Sequence, residues 1–112
     1  MKIAFDVDDT LTIPSVVNGF DRDTPNYETI ALFKWFQSQG HEMIIWSGGG
    51  VDYAKMWAEK LGLNAEIREK TKSDVDIAFD DCDVDLAKVC VKVKRIANHI
   101  SRAEWNEHRK AL

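Results

Sequence analysis

Residues 43–46, Met-Ile-Ile-Trp, form an unbroken apolar run closed by Ser47 and three glycines. A strand with one wet face alternates apolar and polar residues, whereas a strand covered on both faces is apolar throughout. The second pattern belongs to parallel sheets packed between other elements. The chain is therefore expected to build an α/β domain.

The flanking segments supply the other elements. Residues 2–6, KIAFD, read as a short buried strand, and residues 12–24 as a loop, rich in turn formers, with a small hairpin around Asn18-Gly19. Thr24 and Pro25 predict a helix start, Gly40 its stop, and Ile30, Leu32, Phe33 and Phe36 its apolar face. A second helix is predicted over 51–61, with Tyr53, Met56, Trp57 and Leu61 as core and Gly62 as its stop. AEIRE, DVDIAFDD and KVCVKV give a third, fourth and fifth strand. Residues 101–112 give a closing helix in which Ser101 and Glu104 have capping-box spacing. That order predicts a mostly parallel five-stranded sheet flanked by helices, in one domain spanning 1–112.

The 112 residues are 45% apolar and 30% charged, the balance of a compact domain rather than a disordered or fibrous chain. Asp6 interrupts the opening apolar run before a secretory segment could form, and no run approaches membrane-spanning length, so a cytoplasmic protein with no membrane partner is expected. Cys82 and Cys90 are too few for a disulfide framework and read as free thiols; Cys82 reads as a small packing residue rather than a redox-sensitive one. Residues 1–85 carry 8 Lys/Arg against 17 Asp/Glu, net −9, and residues 86–112 carry 7 against 2, net +5. Such a tail fits either an approach to a polyanion or an ordinary solvated face, because its lysines alternate along a predicted strand.

Ligands of open parallel sheets bind beyond the carboxyl ends of the strands. Asp6 and Asp8 follow the first predicted strand, Ser47 the second, and Asp80 and Asp81 the fourth. Four or five carboxylates at one sheet edge repel unless a hard cation sits among them, and an all-oxygen set suits Mg²⁺, which commonly shares its shell with a phosphate. Phosphoryl chemistry is the natural use of such a site.

DVDDT after the first strand, IIWSGG at the second, a lysine before the fourth, and IAFDD at the fourth resemble the four motifs of the haloacid dehalogenase (HAD) superfamily of aspartate-nucleophile phosphatases. The resemblance covers nearly the whole chain in the family's order, and implies a three-layer Rossmann-like fold. It implies Asp6 as nucleophile, Asp8 as general acid and then base, Thr10 ordering the turn and holding Asp8, and Ser47 with the amides of Gly48 and Gly49 binding the phosphoryl group. Mg²⁺ would be held by Asp6, the backbone carbonyl of Asp8, Asp80 and Asp81. Lys72, beside the fourth strand, is the expected charge-neutralising lysine, with Lys70 as its competitor.

Asp9 stands where the family often has glycine and reads as an exposed turn residue. Asp83 and Asp85 read as turn caps, although Asp85 has the spacing of a second acidic residue at the metal in some members. His41, His99 and His108 lack metal-ligand spacing and read as surface residues. The gaps between motifs leave no room for a cap domain, so an open site is expected, with the 12–24 loop as its only flap and Phe20 and Arg22 as substrate contacts. An open site suits a bulky substrate, such as a protein side chain, an oligonucleotide end or a cell-wall intermediate, or a partner subunit serving as lid; the partner expected is a phosphorylated small molecule or macromolecule end, and homo-oligomerisation is left open. The competing readings are a nucleic-acid 3′-phosphatase or nucleotidase, a receiver-like phospho-acceptor domain, whose motif order fits poorly, and a non-catalytic Mg²⁺-binding module.

Overall fold

The computed structural model describes residues 1–95 together with Glu107 and Lys110. Its centre is a parallel sheet of five strands: β1 (Lys2–Asp6), β4 (Glu42–Trp46), β5 (Glu66–Ile67), β6 (Ile77–Asp80) and β7 (Val89–Lys92). They lie in the order β5-β4-β1-β6-β7. The chain thus builds outward from β1 in one direction, then returns to its other side. β1 and β6 flank the point where the direction reverses, which is where crevices open in sheets of this kind. Register runs Phe5 against Ile45 on one side and Phe79 on the other, so Asp6 and Asp80 leave adjacent strands at the same level.

Alternation along the strands divides the core between two faces. Ile3, Phe5, Met43, Ile45 and Phe79 point to the face covered by α2 (Tyr27–Ser38) and α3 (Val51–Leu61), and meet Ile30, Phe33, Ala54, Trp57 and Ala58 there. Phe5 stacks on Phe79 at 4.6 Å between centroids and meets Phe33 edge-on at 5.3 Å. Ala4, Ile44, Trp46 and Ala78 face the other way, packed with Val75, Leu86 and Ala87 from loops. Of the closing helix predicted at 101–112, Glu107 and Lys110 are described and are helical; its Ser101–Glu104 cap lies outside the described residues, as do His99 and His108.

The predicted strands all form, and α3 ends as expected at Gly62, whose φ of +67° is a left-handed stop. Three expectations are corrected. Thr24 and Pro25 do not start α2: they form β3 (Thr24–Pro25), antiparallel to β2 (Thr12–Ile13). The helix begins after Asn26, whose side-chain Nδ2 donates to the Thr10 carbonyl at 3.3 Å and whose side chain makes no capping bond. The flap is therefore an arch whose tip holds α1, a single turn (Ser15–Asn18) closed by Gly19 at φ +80°, not a small hairpin around Asn18-Gly19. Asn18 ties the arch together through Ile13 O, Arg22 O and Thr24 Oγ1, while its own Oδ1 accepts from Phe20 N–H at 2.7 Å. Leu32, expected on the apolar face of α2, is 37% exposed, because Ile30 and Phe33 fill that contact.

The alternation of KVCVKV does not translate into one buried face: Val89, Cys90, Val91 and Lys92 are all exposed on the edge strand β7. His41 is partly covered, with its ring against Phe36 and its Nδ1 3.1 Å from the terminal amine. No helix among the described residues is long and apolar enough to cross a membrane.

Candidate active site at the sheet edge

β1 ends at Asp6, and the chain then makes one wide turn over 7–11, closed by Thr12 N–H and Thr12 Oγ1, both donating to Val7 O. The turn keeps Val7 and Leu11 in the core while bending the backbone back over the strand end. Asp9 sits at its apex with φ +64°, the left-handed region that glycine favours, and that is the physical reason a glycine would serve at this position. Asp9 was expected on the surface, yet it is only 5% exposed, and its charge acts on Asp81. The turn folds inward over the sheet edge rather than outward into water.

Asp6 and Asp80 are buried side by side, and Lys70 lies between them. Its Nζ is 3.1 Å from Asp6 Oδ1 and 2.6 Å from Asp80 Oδ2. Asp80 Oδ2 has no well-directed hydrogen bond, so this ion pair carries its compensation, while Asp80 Oδ1 accepts from Cys82 N–H at 2.9 Å. Lys72, the expected partner, instead pairs with exposed Asp85 at 3.2 Å. The correction has a geometric cause. In a parallel sheet the residues just after a strand stand at its carboxyl edge, and Lys70 follows β5, whereas Lys72 lies two residues further along the return to the start of β6.

Burial pushes the Asp6 carboxyl well above the ordinary carboxylate range, and the charge of Asp80 adds to it; Lys70 works in the opposite sense without cancelling them. Burial would lower the Lys70 ammonium, but the charges of Asp6 and Asp80 outweigh it and hold it raised. With Asp6 ionised, one ammonium shared by two buried carboxylates leaves this trio one positive charge short of neutral. A hard cation among oxygen ligands fits that deficit.

Asp81 is 4% exposed, and Arg95 Nε donates to its Oδ2 at 3.1 Å. Burial raises its carboxyl too, chiefly against this hydrogen bond. Asp80, Asp81 and Cys82 place two carboxylate oxygens and a thiol sulfur within 4.8 Å of one another, a set that can hold a metal ion and does not by itself single out Mg²⁺. Lys88 and Lys92 reach Asp76 and Asp83, so with Arg95 three cations of the basic segment pair with the acidic body. Asp83 and Asp85 are surface ion-pair partners.

Ser47 is 5% exposed at the end of β4. Its Oγ accepts from Gly49 N–H at 3.0 Å, so that amide is directed at the serine rather than outward, while the hydroxyl proton of Ser47 stays available to donate. Thr10 makes no bond to Asp8: its Oγ1 is fully buried and has no partner among the described residues. Asp8 is instead engaged from α3, where Tyr53 Oη donates to its Oδ1 at 2.6 Å. Tyr53 read as core in the sequence. The available signal was its hydroxyl, alone among the apolar residues of that helix face and within the first turn after the glycine loop. Phe20 and Arg22 stand exposed on the arch, and Arg22 pairs with Asp21.

The chain matches no protein-family description, no curated protein and no solved structure.

Proposed function

We propose that this chain is a Mg²⁺-dependent phosphomonoester hydrolase of the HAD type, a capless Rossmann-like domain working through an aspartyl-phosphate on Asp6. The observation that carries the reading is the Lys70 ammonium set between Asp6 and Asp80 at the carboxyl edge of β1 and β6. A buried carboxylate beside a fixed cation can approach an anionic phosphate that would otherwise repel it.

In the first step an Asp6 oxygen attacks phosphorus, the bond from phosphorus to the leaving oxygen breaks with its electron pair going to that oxygen, and Asp8 gives it a proton. In the second, Asp8 takes a proton from water as the water oxygen attacks phosphorus, and the electron pair of the Asp6–phosphorus bond returns to Asp6. Lys70 offsets the charge on Asp6 and the phosphoryl group, and Ser47 donates its hydroxyl proton to a phosphoryl oxygen. Asp6, Asp80, Asp81 and the backbone carbonyl of Asp8 are the groups that would hold Mg²⁺. When bound, the ion supplies the positive charge that the buried carboxylates lack and polarises the phosphoryl group.

The test is phosphate release from a panel of aryl phosphates, small metabolite phosphates and 3′- and 5′-phosphorylated oligonucleotides, with Mg²⁺ and with chelator. Release that needs Mg²⁺ and disappears in Asp6→Asn is expected. No release from any member of the panel would remove the catalytic reading.

A further inference from the structure

Resting on that reading for its catalytic consequence, we propose that Arg68 and Asp74 are positioning residues: paired across the base of the 69–73 loop, they close it and hold the Lys70 ammonium between Asp6 and Asp80.

The loop returns the chain from the end of β5 to the start of β6 and runs along one face of β1. Lys2, Ala4 and Asp6 line that face, because alternate residues of a strand share a side. Each meets the returning chain: Lys2 pairs with Asp74, Ala4 packs in one cluster with Val75, and Asp6 receives Lys70. The ends of the loop are tied to the sheet. Arg68 N–H donates to Ile45 O at 3.3 Å, and Asp76 N–H donates to Lys2 O at 2.9 Å. Between them Thr71 N–H donates to Glu69 O at 2.9 Å, a three-residue turn with Lys70 at its centre.

Side chains close the loop. Arg68 Nη1 donates to Asp74 Oδ1 at 2.7 Å and to Ser73 Oγ at 3.3 Å, while Nε and Nη2 reach Glu66 Oε2 at 2.7 and 2.6 Å. Asp74 gives its other oxygen to the Lys2 ammonium. One guanidinium fork thus spans the loop, and one carboxylate ties it to β1, the strand that carries Asp6. An isolated exposed ion pair contributes little, but these four charges form a network in which Arg68 is 23% exposed. Its effect falls on Lys70, two positions away, whose task requires it to stay in the gap between two carboxylates.

The reactivity of Lys70 reads its position without reference to turnover. In that gap its nitrogen pairs with both carboxylates and its side chain is 17% exposed, so acetic anhydride should modify it slowly. In Asp74→Ala and in Arg68→Gln, Lys70 acetylation should rise roughly 5- to 20-fold relative to that of exposed Lys34 on α2, read by peptide mass mapping without divalent metal. With Mg²⁺, kcat/KM for an aryl phosphate should fall roughly 10-fold in each variant. It should fall no further when either change is added to Lys70→Ala, because both act through that ammonium. Lys72→Ala, in the same loop but outside the clip, should leave both readouts unaltered.

Unchanged Lys70 acetylation would overturn the clip while leaving the hydrolase reading intact. Equal losses of rate with and without Lys70 would do the same, since they mark general damage to the fold. Faster acetylation with unaltered hydrolysis would overturn the catalytic consequence. Absence of hydrolysis by the unaltered protein would overturn the hydrolase reading, and the acetylation rates would still decide whether Arg68 and Asp74 place Lys70.

Discussion

Lys70 Nζ lies 3.1 Å from Asp6 Oδ1, joining residues 64 positions apart in the chain, and both side chains are largely withdrawn from water. Removing the cation strands the carboxylates it compensates. Lys70→Ala should cost roughly 3 kcal/mol of stability without added metal and lower phosphate release by about 100- to 1,000-fold. Lys72→Ala breaks an exposed pair and should change stability by less than about 0.5 kcal/mol, with activity unaltered. Chemical denaturation and phosphate release on the two variants check this.

The raised carboxyl of Asp6 fixes the sign of a pH effect. Its folded-state pKa lies above the ordinary value of 3.8, so its contribution is fully present below 3.8 and is lost as pH rises through the folded value. Without divalent metal, Asp6→Asn should melt close to the parent protein in acid and above it at neutral pH, with a gap that widens as pH rises. Mg²⁺ should raise the parent's melting midpoint most where Asp6 is ionised. Asp74 has the opposite sign: the side-chain hydrogen bonds of Lys2 and Arg68 lower it to about 2, so its contribution is lost as pH falls below 3.8. It is exposed, and its effect should fade in salt.

The arch over 12–25 depends on Asn18, whose amide nitrogen reaches three acceptors at 2.9 to 3.2 Å. Asn18→Ala should open the arch by about 1–2 kcal/mol, that is, accelerate tryptic cleavage after exposed Arg22 roughly 5- to 30-fold. Global unfolding should move much less.

Phe33 has no exposed surface and meets Phe5 edge-on. Phe33→Ala should destabilise the domain by about 3–5 kcal/mol, measured by denaturant titration, because α2 has few other anchors on the sheet.

The strands and the acidic sheet edge were legible because burial on both faces leaves apolar runs, and because an aspartate closing such a run has one place to go. Asp6 and Asp80 could be put together on that ground alone. The lysine could not, since nearness in sequence to β6 favoured Lys72, while the edge that matters is reached just after β5, at Lys70. Thr24-Pro25 carries a genuine helix-start signal, but pairing with Thr12–Ile13 overrides it locally. Asp9 read as surface because a charge in a turn is normally solvated, and only the inward fold of the 7–11 turn buries it. Tyr53 read as core since helical spacing reports which face is covered and says nothing about where a hydroxyl at its rim is directed. In each miss a tertiary contact overrode the local option that the sequence favoured.

In the proposed reaction Asp6 takes the phosphoryl group. The most direct measurement is a rapid acid quench of the protein during turnover of a hydrolysed phosphomonoester with Mg²⁺, followed by peptide mapping of the trapped phosphate. An acyl-phosphate on Asp6 is expected, absent in Asp6→Asn and, with an aryl phosphate whose leaving group departs without a proton, accumulating when Asp8→Asn slows attack by water. Turnover with no phosphate on Asp6, or with the phosphate on another residue, would contradict it.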